Sequence, residues 1–229
     1  MALKVNPFVL GMLRENGYIV YDDAEEPVSG MRQAVVIDPG AQADKLIEAC
    51  RNELHVKPVA ILLTHGHFDH VMAVDELRKE YGIDAYILDK EIEVVSDPVK
   101  NLSERFESKF TLDGLKTVSD GEVLSLIGHD FKVIATPGHT IGGCCYYVED
   151  SKILFSGDTL FCESYGKYSF PTGSLRQIVD SVAVKLMALP DDVTVFPGHE
   201  QPTTIGHERI YNICNVIYKK NKEREEGKI

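Results

Sequence analysis

Two β-sheets packed together with helices on the outside form the α/β architecture that the sequence predicts. Strand-rich and mixed stretches alternate twice along the chain, and amphipathic helical patterns fall in both halves. No shift in composition marks a linker, so residues 1–229 read as a single domain. A chain of 229 residues is long enough to bury a substantial core without disulfide staples.

Each element has its own local signal. Val9 to Leu13 and Tyr18 to Tyr21 are apolar strands, with Asn16-Gly17 between them as the hairpin turn. Ala34 to Gly40 is a third strand stopped by Pro39-Gly40. Ala43, Leu46, Ile47, Cys50 and Leu54 make one apolar helical stripe. Val59 to Leu63 is short and wholly apolar, the pattern of a strand buried on both faces. After a polar loop, Val71, Val74, Leu77 and Tyr81 mark a second helix, and Ala85 to Leu88 another strand. Residues 89–108 read as one or two helices broken near Pro98. Four strands follow between residues 116 and 156, then a loop from Ser156 to Gly173. Ser174 and Gln177 form a capping box for a helix whose Leu175, Ile178, Val179, Val182 and Leu186 share a face. Val193 to Phe196 is the last strand, and one final helix runs from Ile205 to about Tyr218 before a charged, solvated tail.

Composition narrows the function. The formal net charge of −12 repels phosphate backbones, which argues against nucleic acid as a partner. The longest apolar stretch, Pro58 to Thr64, is far below the ~20 residues that span a bilayer. The chain does not open on a basic segment followed by an apolar run, and its five cysteines are sparse and odd in number. A reduced, cytoplasmic protein acting on a small molecule is the expectation.

The loop Thr64-His-Gly-His-Phe-Asp-His70 puts three imidazoles and a carboxylate within six residues of a buried strand. Those side chains suit zinc, iron and manganese. In extended backbone, residues two apart face the same side, so His65 and His67 can grip one ion. Asp69 and His70, at the turn into the helix, can reach a second. Three more loops follow strands in the same way and deliver His139, Asp158 and His199. Any one of these is an ordinary turn, but five of the eight histidines sit in the four loops together. His55 and His129 read as surface residues. Seven ligands are too many for one tetrahedral ion and suit two. His65, His67 and His139 would take one, Asp69, His70 and His199 the other, and Asp158 can bridge both. Two divalent ions with two carboxylates leave the site about +2, the condition for pulling a water pKa from ~15.7 toward ~7. Zinc is the expected metal, with iron or manganese as the other fits. No cysteine is assigned as a ligand, although Cys162, four residues past Asp158, is a candidate lining residue of the pocket.

The segments Thr64 to His70, Gly138 to Gly143, Ser156 to Phe161 and Pro197 to Glu200 resemble the motif set of the metallo-β-lactamase superfamily. More narrowly, they are similar to its glyoxalase II (hydroxyacylglutathione hydrolase) branch, in the short single-domain form. The resemblance spans about residues 9–212. It implies a four-layer αββα sandwich of two mixed sheets, with the metal site at one edge. It also implies the ligand set above, with a metal-bridging hydroxide, oriented by Asp69, attacking the thioester carbonyl of an S-2-hydroxyacyl thiol. True β-lactamases of the superfamily lack the bridging carboxylate that Asp158 supplies here. The branch holds its thiol carrier through a Gly-Lys-x-Tyr segment. This chain has Gly166-Lys167-Tyr168-Ser169, which makes Lys167 and Tyr168 the candidate substrate contacts and leaves the carrier open. Two other chemistries suit the ligands: hydrolysis of another ester or lactone, and mononuclear iron oxidation of a persulfide at His65, His139 and Asp158.

Overall fold

The computed structural model describes residues 3–27 and 30–226. The first half contains β1 (Leu3–Leu10), β2 (Glu15–Asp22), β3 (Arg32–Ile37), α1 (Ala43–Glu48), β4 (Val56–Leu62), α2 (Phe68–Val71), α3 (Val74–Tyr81), β5 (Asp84–Leu88), α4 (Ile92–Val95) and β6 (Lys116–Val118). The second contains β7 (Val123–Leu126), β8 (His129–Ala135), β9 (Cys144–Val148), β10 (Ile153–Gly157), the two short strands β11 (Leu160–Phe161) and β12 (Ser164–Tyr165), α5 (Leu175–Asp180), β13 (Thr194–Pro197), β14 (Thr203–Thr204), α6 (Ile205–Tyr211) and α7 (Ile213–Glu225). Strands β1 to β6 form one six-stranded sheet in sequence order, and the other has the order β14-β13-β10-β9-β8-β7. Both are mixed: β3, β4, β5 and β6 run parallel in the first, as do β10 and β13 in the second.

Three apolar layers hold the sheets and helices together. Between the sheets, Tyr18, Val35, Ile37 and Leu62 meet Phe131, Tyr146, Val148 and Phe155. Outside the first sheet, Leu46 and Cys50 join Val74 and Leu77 of α3 against Ile19, Val36 and Ile61. Outside the second, Ile178, Val179, Val182 and Leu186 cover Cys145, Leu154 and Val195. Residues alternate in direction along a strand, so Val35 faces the partner sheet while Val36 faces a helix. This is the αββα sandwich expected. The five cysteines are free thiols. Among the described residues no helix is long and apolar enough to cross a membrane.

Several local expectations need correction. Asn16-Gly17 is not the hairpin turn but lies inside β2, paired with Val9 and Phe8. The chain turns at Gly11 to Arg14, both with positive φ (61° and 57°). Asn16 is held in the strand because its amide donates to Pro197 O (3.1 Å) at the end of β13 and to Glu200 O (2.8 Å) in the loop after it. Within 89–108 only α4 and single 3₁₀ turns at Asp89–Glu91 and Ser103–Phe106 form. The loop after Ser156 contains the β11–β12 hairpin. Leu175 is exposed, so the buried face of its helix starts at Ile178. Ser174 does cap that helix, accepting from Gln177 N. The final helix is two helices, because Asn212 is extended (φ −68°, ψ 129°) and its side chain caps α7 at Cys214 N. His129 is buried, with Nδ1 2.7 Å from Asp150 Oδ2 and Nε2 3.2 Å from Asp22 Oδ2. It pins β8 to the end of β2, a long-range pairing that local sequence does not carry.

Phe155 is wholly buried between the sheets, 5.5 Å from the Tyr18 ring and stacked on Phe196 at 5.7 Å. Phe155→Ala is expected to cost about 3–5 kcal/mol of stability, read from the denaturant midpoint at unchanged slope.

Candidate metal centre

The polar loops gather at one edge of the sandwich, at the carboxyl ends of β3, β4, β8, β10 and β13. Open parallel strands leave a crevice there, where the loops diverge. Two of the loops cannot carry a side chain at their glycines. A Cβ on Gly157 would meet Thr64 Oγ1 at 2.2 Å, and one on Gly198 would meet Asp158 Oδ1 at 2.4 Å. Gly198 N also donates to Gly157 O (2.9 Å), and Cys144 N to Thr64 O (2.8 Å), so backbone hydrogen bonds join the ligand loops.

All seven sequence-predicted ligands come together. His65, His67 and His139 form one group and Asp69, His70 and His199 another, with one ligand atom per residue within 4.8 Å of the others in each. The two groups adjoin, since the His65 and His70 rings lie 4.1 Å apart. Asp158 sits between them. Its Oδ1 is 3.5 Å from His70 Nε2, and its Oδ2 is 3.4 Å from His139 Nε2 and 3.7 Å from His199 Nε2. Asp69 Oδ2 is 3.5 Å from His199 Nε2 and 3.9 Å from His70 Nε2.

The donor atoms fit metal ions. His65 Nε2, His70 Nε2 and Asp158 Oδ1 are buried and make no hydrogen bond within the protein. Leaving such an atom unpaired costs about 1–3 kcal/mol, and a cation is the partner that satisfies lone pairs on nitrogen and oxygen at once. His67 Nδ1 and His139 Nε2 are only 2.9 Å apart, two ring nitrogens converging on one point. The donors are nitrogen and oxygen with no sulfur, a set that suits zinc, iron or manganese.

A supporting layer fixes the tautomers, and sequence reasoning missed most of it. Asp38, at the end of β3, accepts from Thr64 N (2.7 Å), Thr64 Oγ1 (2.5 Å) and His70 Nδ1 (3.1 Å). His65 Nδ1 donates to Thr64 Oγ1 (3.1 Å), and His139 Nδ1 to Lys167 O (2.7 Å). These bonds turn the Nε2 atoms of His65, His70 and His139 toward the cation positions. Glu91 is fully buried and accepts from Gly66 N and Gly142 N, both at 2.7 Å, so one carboxyl group clips the His65–His67 loop to the His139 loop. Burial pushes Glu91 up to about 7. Glu15 is also fully buried, with Oε1 3.9 Å from His70 Nδ1, and burial holds it well above the usual carboxylate range. The sequence signal for Asp38 was the Asp-Pro-Gly that ends its strand. Glu15 and Glu91 left none.

A cavity of about 390 Å³ opens onto the centre, lined by Leu13, Phe68, Leu102, Phe106 and Phe170, with Arg105 at its wall. Phe170 carries a cation on each of two approaches, with the Arg105 guanidinium 5.2 Å and Lys167 Nζ 4.6 Å from the ring centre. Lys167 is therefore near the mouth, and its carbonyl also orients His139. Tyr168 is not in the cavity lining. Its ring is exposed and stacks on Tyr165 at 6.3 Å. Cys162 does not line this cavity either; it borders a separate cleft with His207. Arg105 had no motif to announce it.

Residues 28–199 match the metallo-beta-lactamase superfamily. The chain belongs to that superfamily. Hydroxyacylglutathione hydrolase GloC of Haemophilus influenzae is 31% identical over 209 residues, covering 87% of this chain and 92% of that protein. The crystal structure of the B3 metallo-beta-lactamase BLEG-1 shares 34% identity at a TM-score of 0.85, covering 93% of this chain and 100% of the other. The structure of TTHA1623 in a di-iron-bound form shares 32% identity at a TM-score of 0.77, covering 91% and 98%.

The two ligand groups differ in proton affinity. Burial holds His65, His67 and His139 below the usual imidazole value. Burial opposes charge on His70 and His199 too, but it is outweighed. Asp158, Asp69 and Asp38 raise His70, and Asp69 and Asp158 raise His199. An ion entering the Asp69–His70–His199 group must displace protons that the other group has already lost. As pH falls, metal content is expected to drop first by the equivalent bound there, and only at lower pH by the other. Elemental analysis of protein equilibrated across a pH series reads the two steps.

Proposed function

We propose that this metal-dependent hydrolase cleaves a thioester, with an S-2-hydroxyacyl thiol as its substrate class, on a dinuclear centre. The observation that carries the reading is Asp158, whose carboxylate reaches both groups, Oδ1 facing His70 and Oδ2 lying between His139 and His199. His65, His67 and His139 would hold one ion, Asp69, His70 and His199 the other, and Asp158 would be shared. Such a pair, when bound, lowers the pKa of a water toward ~7 and polarises a carbonyl oxygen. Zinc is the proposed metal, and iron is the alternative that the di-iron neighbour supports.

The chain's own residues supply the rest. Asp69 is kept ionised, because His70 and His199 lower it more than burial raises it. It accepts a hydrogen bond from the attacking water and so fixes the direction of attack on the carbonyl carbon. Phe68, Phe106, Leu13 and Leu102 exclude bulk water from the acyl group. A thiolate is a good leaving group, so no acid needs to stand beside the sulfur. Arg105 and Lys167, both at the Phe170 ring, would pair with a carboxylate on the thiol carrier. Tyr168, stacked on Tyr165, would act only at the outer rim. The likeness to GloC supports a thioester. The likeness to BLEG-1 is the reason to assay β-lactams beside lactones as competing substrates.

The test is elemental analysis followed by hydrolysis assays on S-2-hydroxyacyl thiols, lactones and β-lactams, with oxygen uptake on a persulfide. Two metals per chain with fastest turnover of a thioester are expected. One iron per chain with persulfide-dependent oxygen uptake would replace this reading. Asp158→Asn is expected to leave the circular dichroism spectrum intact and to abolish turnover, because the amide cannot offer two anionic oxygens. Arg105→Ala is expected to raise KM about tenfold for a thiol carrier bearing a carboxylate, with kcat little changed. An equal KM change for an uncharged carrier would remove Arg105 from carboxylate binding.

A further inference from the structure

Outside the His/Asp centre, one other group of metal-type donors converges among the described residues. Cys162 and Glu163 form the tip of the β11–β12 hairpin, and His207 lies in the first turn of α6. One ligand atom from each lies within 4.8 Å of the others. We propose that these three residues form an outer site for a borderline or soft divalent cation, of the zinc and cadmium type. The inference is independent of the thioester reading.

The donors are held in place from behind. Glu208, fully buried beside His207, accepts from Glu163 N (2.9 Å), Thr203 Oγ1 (2.6 Å) and Asn212 Nδ2 (2.8 Å). One buried carboxylate thus ties the hairpin tip to the helix that carries the imidazole. The His207 ring packs on Tyr211 at 4.7 Å, and its Nε2 is 3.0 Å from Glu163 Oε1. Cys162 Sγ accepts from Gln201 Nε2 (3.5 Å), two residues past His199. Ligands fixed in this way lose little freedom on binding, which is what a second shell contributes to metal affinity.

The chemistry matches a zinc-type ion. Thiolate, carboxylate and imidazole are all zinc ligands, and three protein donors leave a fourth position for water. Thiolate and carboxylate together cancel the +2 of the ion. Binding releases the Cys162 thiol proton to solvent, so it strengthens with rising pH. Cys162 is the accessible cysteine. Cys50, Cys144, Cys145 and Cys214 are buried, and burial raises all four thiols. Glu163 and His207 already meet at 3.0 Å, and the experiment shows whether a cation joins them with Cys162.

The His/Asp centre has no sulfur donor, so a thiolate-to-metal charge-transfer band reports the outer site by itself. The metal-loaded protein as purified is titrated with Co²⁺ at neutral pH. One further equivalent should bind, and a near-ultraviolet sulfur-to-cobalt band should grow with it. Cys162→Ser should abolish the band and the extra equivalent while the circular dichroism spectrum is retained. His207→Ala should weaken both. Wild-type protein that takes up no further cobalt and shows no band overturns the proposal. So does a band of full strength in Cys162→Ser, which would assign it to another cysteine.

Discussion

The structure is organised around a pocket of lone pairs that the protein does not satisfy by itself. Buried imidazole nitrogens and a buried carboxylate oxygen point at one another across a few ångströms. An ordinary core would turn such atoms toward hydrogen-bond donors. Here the donors are spent on the far sides of the rings: Asp38 takes the His70 proton, Thr64 the His65 proton and the Lys167 carbonyl the His139 proton. The repulsion among the inward-facing atoms is tolerable only with positive charge between them, supplied by protons on His70 and His199 or by metal.

That constraint explains why the sandwich is stitched so heavily at one edge. Asn16 and Tyr18 of the first sheet bond to the Pro197 carbonyl of the second, and Cys144 N bonds to Thr64 O in the opposite direction. Glu91 spans the gap between the two remaining loops. Apolar packing between sheets is roughly non-directional and would tolerate a small slide. Ligand loops from both sheets sharing one carboxylate would not. The hydrogen bonds set a register that packing leaves loose.

The same edge sets an apolar wall against a polar centre. The polar centre is walled by Phe68, Phe106 and Phe170, while the cations Arg105 and Lys167 stand at the ring of Phe170. An apolar collar lowers the local dielectric around the centre, and two cations stand at the Phe170 ring on a protein whose net charge is −12.

Much of this was legible in the chain. The helical stripes beginning at Ala43 and Val74 (Val71 closes a separate short helix), the apolar strand at Val59, and all seven candidate ligands were readable, because periodicity and a dense His/Asp loop are local properties of sequence. Four features were not: Asn16-Gly17 running straight through a strand, Asn212 splitting the last helix, His129 buried between two aspartates, and Arg105 and Glu91 reaching the site. Each depends on a partner far away in the chain: Pro197 for Asn16, Ser164 for Asn212, Asp22 for His129, Phe170 for Arg105, Gly142 for Glu91. The residue types by themselves pointed to clusters able to bind metal ions and roughly to the atoms that would face them. Tertiary structure alone decided which nitrogen of each ring faces inward and which charges guard the mouth, since these follow from hydrogen bonds and contacts between segments that no local pattern relates.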